Sequence, residues 1–329
     1  MKTIRIPLAA LAAALLTVPA ISAPLDTKGI PADAIGVIYV DADAMNKSKF
    51  GKELEKIKKE APKKEEQEAL EKFQKQIGFD PEKDLRSVTI GLLKSAEPMS
   101  PPTAVAVMRG SFSPDKIVAA AKENNLPVTT QDKLTVIDLG TLGDALNFGG
   151  EKIAAVAAIV DANTILLAPD AKFIDKAAAA LTGASFAPPA ALEAFLKQEG
   201  TLMILGSIGG NIVEMPAGAA VGMPEAMQLA FSEKGANLRL RLSLDFANPK
   251  AAAEALQSTQ GMIGMLPMIM SQDQSPEGAA KAKAAKSFTD RIKFNQKDKN
   301  LDVLLEYPSA DLLDLIKAEM LKAKDKDQE

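Results

Sequence analysis

The 329-residue chain contains no cysteine, no histidine and no tryptophan. Without cysteine there can be no disulfide, so stability must come from packing. Without histidine and cysteine, the commonest zinc, haem and transition-metal ligand sets are excluded. Ser-His-Asp and Cys-His machinery is excluded with them. No metal or organic cofactor is expected. Catalysis would fall to carboxylates, lysine, hydroxyls or a hard cation, and paired carboxylates suffice for glycoside hydrolysis. Aromatic residues make up 4% of the chain and the formal net charge is −4. A mildly acidic, aromatic-poor chain lacks the footprint of a nucleic-acid binder.

What is present starts with an export signal. Lys2 and Arg5 precede an Ala/Leu-rich stretch from Ile6 to about Leu16, and small and turn-forming residues continue to Pro24. This is the order of a secretory signal peptide. Cleavage is predicted after Ser22, with a cut after Ala20 as the alternative, so residues 1–22 form the signal. The apolar core is shorter than the roughly 20 residues a membrane span needs. Loss of Lys2 and Arg5 leaves 37 basic against 43 acidic residues, a net charge of −6. No later stretch reaches spanning length. A soluble, secreted or periplasmic product is therefore expected, without stable membrane insertion.

The remainder predicts an α+β fold of two related halves, each an antiparallel sheet with packed helices. The halves are residues 30–185, with a charged helical insertion at 47–78, and residues 190–325. In the first half, strands are predicted at Ala34–Val40, Arg86–Leu93, Thr103–Phe112, Leu134–Leu139, Ile153–Val160 and Thr164–Ala168. The insertion carries the stripes Phe50, Leu54, Ile57 and Leu70, Phe73, Ile77. In the second half, strands are predicted at Thr201–Leu205, Ala226–Ser232, Leu238–Phe246, Arg291–Asn295 and Leu301–Glu306. Leu238, Leu240, Leu242 and Leu244 alternate with Arg239, Arg241 and Ser243, the pattern of a strand with one buried and one wet face. Two anchors repeat. Phe112-Ser113-Pro114 matches Phe246-Ala247-Asn248-Pro249, and Leu166 to Asp170 matches Leu304 to Ser309. Polar caps followed by proline start helices in both copies. This shared order argues for an internal duplication.

The stretch Ile77-Gly78-Phe79-Asp80-Pro81-Glu82-Lys83-Asp84-Leu85-Arg86-Ser87-Val88-Thr89-Ile90-Gly91, with the Pro31 to Val40 strand before it, resembles a group of exported bacterial proteins of unknown function. They are of the planctomycete and verrucomicrobia type. The resemblance implies an exported α+β scaffold. It implies no activity and no site residues.

Three constellations carry possible chemistry. Asp41-Ala42-Asp43 ends a strand, as in haloacid-dehalogenase-like phosphatases, but Ala44 and Met45 stand where that pattern wants Gly and Thr or Ser. Two solvated aspartates at a strand end are expected instead. Gly206-Ser207-Ile208-Gly209-Gly210-Asn211 resembles an anion nest but lacks the lysine of a phosphate loop; a flexible turn is expected. Met262, Met265, Met268 and Met270 cluster with Ile and Leu. Thioethers bind Cu(I), but methionine more often fills a core or forms an adaptable apolar surface. Met215, Met223, Met227, Met262 and Met265 are the candidate partner surface. The expected function is non-enzymatic binding or scaffolding of a protein partner, in the envelope or on a host surface. The alternative is a carboxylate-based hydrolase.

Overall fold

The structure is a computed structural model that describes residues 26–60, 74, 78–95, 102–139, 156–188, 201–208, 224–270, 285–314 and 316–317. The predicted signal, the second insertion stripe, residues 209–223 with Met215 and Met223, and the charged tail lie outside the described residues.

Apolar runs bounded by turn residues become strands. The first half supplies β1 (Ala34–Asp41), β2 (Leu85–Leu93), β3 (Thr103–Gly110), β4 (Val128–Gln131), β5 (Leu134–Asp138), β6 (Val156–Asp161) and β7 (Thr164–Ala168). The second supplies β8 (Thr201–Ile208), β9 (Ala226–Lys234), β10 (Asn237–Asp245), β11 (Ile292–Lys297) and β12 (Asn300–Pro308). The helices include α1 (Ala42–Lys47), α2 (Lys49–Glu60), α3 (Pro81–Asp84), α4 (Pro114–Glu123), α5 (Ala171–Thr182), α6 (Pro249–Met270) and α7 at 309–314 and 316–317. The fold is α+β.

All the strands join one 12-stranded sheet in the order β11-β12-β10-β9-β8-β1-β2-β3-β7-β6-β5-β4. Each half is an antiparallel run of strands with packed helices, as expected, and the two runs continue into one another. They meet where β1 pairs antiparallel with β8 through Val37↔Gly206 and Tyr39↔Ile204. Read outward from that seam, the order is β1-β2-β3-β7-β6 in one direction and β8-β9-β10-β12-β11 in the other. The same frame thus occurs twice, with a helix after the third strand and another after the fourth. The two sequence anchors fall on equivalent places, after β3 and β10 and at β7 and β12.

The main core lies on one face of the first half. Val37 and Tyr39 of β1, Val105 and Val107 of β3, Leu166 of β7 and Ile174 and Ala177 of α5 are buried together there. The helix α5 forms because the Asp170 carboxylate accepts from Lys172 N–H at its start, and the N–H of Gly183 closes its end on the Ala179 carbonyl at 2.9 Å. Gly29, at φ +90°, donates to Ala180 O at 3.1 Å, and a Cβ there would lie 3.0 Å from Val107 Cγ2. Only glycine reconciles that backbone with so close an approach.

The opposite face carries α4, α6, α2 and α7. Ala121 of α4 packs on Ile137 and Ile159. Phe50 and Leu54 of α2 pack on Leu238 and on Leu313 of α7, as the predicted first stripe requires. The backbone N–H groups of Lys49 and Phe50 donate to the Glu233 carboxylate of β9 at 3.0 and 3.1 Å. A second-half strand thereby satisfies orphan donors of a first-half helix.

Several local expectations shift. No strand is predicted where β4 forms: Val128–Gln131 is short and polar, and its turn to β5 puts Asp132 and Lys133 at positive φ without glycine. The predicted five-residue turn after Asn295 contracts to Asp298-Lys299, because Lys297 and Asn300 already pair. Ser243, placed on the wet face by alternation, is buried; Asn300 Nδ2 donates to its hydroxyl at 2.9 Å and so meets its need for a polar partner.

Candidate functional site

Helix α6 is the element whose sequence and packing disagree most. Asn248 caps it, its Oδ1 accepting from Ala251 N–H at 3.0 Å, with Pro249 at the first helical position, where its missing N–H costs nothing. The first two turns dock on the sheet: Ala252 is buried, and Ala251, Ala255 and Leu256 pack around Phe246, Leu301 and Phe294. Beyond Leu256 the support ends. From Gln257 to Met265 no residue is buried. Met262 is 57% and Met265 50% exposed. A Cβ added at Gly261 or Gly264 would meet nothing within 4 Å. No charged side chain occurs from Ala255 to Met270. A helix of this length spans about 33 Å, and the stretch Gln257–Met265 leaves the core while staying uncharged.

Among the described residues, the exposed large hydrophobics are Met262, Met265 and Phe288. All three belong to the connection between β10 and β11. Met227 is half-buried on β9 opposite Leu244. Opposed residues share a face, so Met227 sits on the sheet face that α6 covers. The expected partner surface is thus divided. Met262 and Met265 are on the outer part of α6, Met227 is on the sheet beneath the level of that helix, and Met215 and Met223 lie outside the described residues.

The other constellations resolve differently. Asp41 is 2% exposed, not solvated as expected. It caps α1, accepting from Ala44 N–H at 2.7 Å. Burial, and next the Asp41 charge and its hydrogen bond, push the Tyr39 hydroxyl well above the ordinary tyrosine range. Asp43 is exposed and pairs with Lys47 at 2.5 Å. The two carboxylates serve separate structural ends and do not converge. Gly206, Ser207 and Ile208 continue β8 and form no turn there; the strand extends because Gly206 and Ser207 pair with β1 and β9 on either side.

A cleft of about 750 Å³ opens beside α5. Lys28, Arg109, Lys133, Asp161 and Asp175 lie on it, with Leu134 and Leu181 adding apolar wall. Arg109 acts as a brace. It donates to the Thr164 hydroxyl and to Lys28 O, the latter at 3.1 Å, and pairs with Asp26 at 3.1 Å. Asp161 accepts from Asn163 N–H and Asp175 from Gln131 Nε2, at 2.7 and 3.2 Å. The cleft's carboxylates are exposed and mixed with cations; Asp161 holds its own turn and Asp175 ties α5 to β4. No group of three or more Asp or Glu side chains placed to hold a metal occurs among the described residues. None of their helices is long and apolar enough to cross a membrane.

No protein-family model matches the chain, and no curated protein matches it. A solved structure described as "Structure of crystal form I of TP0453" is similar at 11% identity and a TM-score of 0.46, covering 90% of this chain and 98% of that one. A score at that level carries no argument about this chain's fold or function.

Proposed function

We propose that this is an exported, non-enzymatic binding protein that engages a protein partner outside the cytoplasm through the outer half of α6. The observation that carries the reading is the uncharged, unsupported helical surface around Met262 and Met265, half or more exposed. Leaving such a surface in water is unfavourable by roughly 25 cal/mol per Å² of apolar area. Clustered exposure of this kind marks interaction sites more than scattered single residues do. Methionine is suited to it, because its unbranched thioether repacks against partners of different shape. The amino-terminal signal supports export, and the absent residue types favour binding over chemistry.

The test compares the wild-type mature protein with a Met262→Asp/Met265→Asp double variant. A photoactivatable methionine analogue at both positions should crosslink a discrete protein in envelope or host-membrane fractions, and the double variant should no longer recover that protein. Exposed substitutions of this kind change stability by no more than about 0.5 kcal/mol, so a thermal melt separates lost binding from lost fold. Recovery of the same partner by the double variant would sink the reading.

A further inference from the structure

The geometry points to a second recognition surface, independent of α6: the free edge of β11, built to accept an acidic strand from another polypeptide. We propose that an extended segment carrying two carboxylates four residues apart adds to this edge. Three observations combine.

The first is the repeated frame. β11 occupies the place in the second half that β6 occupies in the first. The outer edge of β6 is covered by β5, through Thr135↔Ile159, Val136↔Ala158 and Ile137↔Ala157. The outer edge of β11 has no strand on it among the described residues.

The second is backbone direction. β11 and β12 are joined by the two-residue turn Asp298-Lys299, and Lys297 pairs with Asn300. In such a hairpin the residues flanking the turn form a hydrogen-bonded pair, and hydrogen-bonded and non-bonded pairs alternate from there. Lys297, Asn295 and Lys293 therefore turn their backbone groups toward β12. Gln296, Phe294 and Ile292 turn theirs outward.

The third is charge, and it selects the occupant. Across one face of this half the charges alternate strand by strand. β10 presents Arg239 and Arg241, β12 presents Glu306 and Asp302, and β11 presents Lys293 and Lys297. Arg239 Nε donates to Glu306 Oε1 at 2.9 Å, Arg241 pairs with Asp302 at 3.1 Å, and Lys293 approaches Glu306 at 3.7 Å. The row reads positive, negative, positive. An acidic strand continues it, with carboxylates opposite Lys293 and Lys297 and a polar residue opposite Asn295. Apolar residues between them would extend the other face beside Phe294, which already packs against α6. A second copy of this chain is disfavoured. Antiparallel self-pairing centred on Asn295 sets Lys293 of each copy against Lys297 of the other, and like charges directly opposite destabilise a pair. Edge lysines commonly guard a sheet against its own kind; here the same lysines admit the opposite charge.

The test uses two fluorescein-labelled peptides, acetyl-Thr-Glu-Val-Thr-Val-Glu-Thr-amide and its counterpart with lysine for glutamate, titrated by anisotropy at low salt. The wild-type protein should bind the acidic peptide saturably and at least about tenfold more tightly than the basic one. Lys293→Glu/Lys297→Glu should invert that preference. Bound peptide should slow hydrogen exchange at the amides of Phe294 and Gln296. Gln296→Pro, which removes an outward N–H at an edge position where proline is tolerated, should weaken binding while a thermal melt shows the fold intact. The same binding should persist in the Met262→Asp/Met265→Asp protein, so failure here and failure of the α6 reading are separate results. No saturable binding by the wild type, a preference that survives the charge swap, or binding without protection at Phe294 and Gln296 would overturn the proposal.

Discussion

The two halves share a strand order and differ in the elements placed after the third strand. After β3 comes α4, ten residues long, with Ala120 and Ala121 buried. A β4–β5 hairpin then continues the sheet past β6. After β10 comes α6, 22 residues long, and no strand is added past β11 among the described residues. They differ again after β7 and β12, the fourth strands of the frame. α5 covers the face bearing Val107 and Leu166, whereas α7 sits on the opposite face with Leu313 against Leu238. The first half thereby covers its face and the outer edge of β6, and its sheet ends at the short, polar β4. Among the described residues, the second leaves an apolar helix surface, a charged face and the outer edge of β11 uncovered. A repeated frame lets one copy supply stability while the other is free to carry interaction surfaces, and both proposed recognition surfaces fall in the second.

That division predicts the largest effect. Leu166 and Leu301 are both 0% exposed, one in the broad first-half cluster and one in the smaller cluster under α6. Truncation to alanine in a core costs roughly 2–5 kcal/mol, depending on how far the site can collapse. Leu166→Ala should fall near the top of that range, because its neighbours come from several strands and α5 and are held on all sides. Leu301→Ala should fall near the bottom, because its cavity lies beneath a helix with few other contacts. Since β1 and β8 join the halves in one sheet, urea should reveal a single transition for both variants. Two separated transitions would show that the halves unfold independently.

Much of the frame is legible in the chain, for reasons that particular residues make clear. Thr164–Ala168 is predicted to the residue because Asn163 and Pro169 bound a run of β-formers. The alternation along Leu238–Leu244 locates β10. What pattern does not encode is long-range pairing. The seam between β1 and β8 brings Tyr39 opposite Ile204, and no local signal states that choice. Nor does composition report solvation: Asp41 reads as an exposed strand end until α1 is seen to need its carboxylate as a cap. Met262 and Met265 are readable as interface candidates from their apolar, uncharged surroundings. The β11 edge is not, since Lys293 and Lys297 acquire meaning only once Glu306 and Asp302 stand beside them.

A smaller effect sharpens the comparison at matched positions. Ser113 and Asn248 each precede a proline that opens a helix. Asn248 makes its cap hydrogen bond to Ala251 N–H, whereas Ser113 makes no side-chain cap bond. Asn248→Ala should cost about 1 kcal/mol, the usual value of a working cap. Ser113→Ala should cost less than about 0.5 kcal/mol, as for a position without a specific partner. Chemical denaturation of the two variants beside the wild type measures both. Equal costs would mean that Asn248 contributes nothing beyond helix propensity.

The smallest effect concerns pH and belongs to the charged face of the second half. The Arg239 hydrogen bond holds the Glu306 carboxyl below its ordinary value of 4.5; partial burial opposes this, while the charges of Arg239, Lys293 and Lys234 reinforce it. A carboxyl whose pKa is depressed on folding contributes stability that is fully present above its unfolded pKa and is lost as pH falls through the folded value. The contribution should therefore be intact from neutral pH to about 4.5 and fade below that. It should be modest, because both side chains are partly exposed to screening solvent. Arg239→Met removes the donor and keeps the stem that lies along the sheet. Its stability should fall slightly at pH 7, and the gap to the wild type should narrow as the pH drops below 4.5. An equal gap at pH 7 and pH 3 would show that Arg239 acts through packing alone, and the alternating charge row that selects an acidic strand at β11 would lose its inner member.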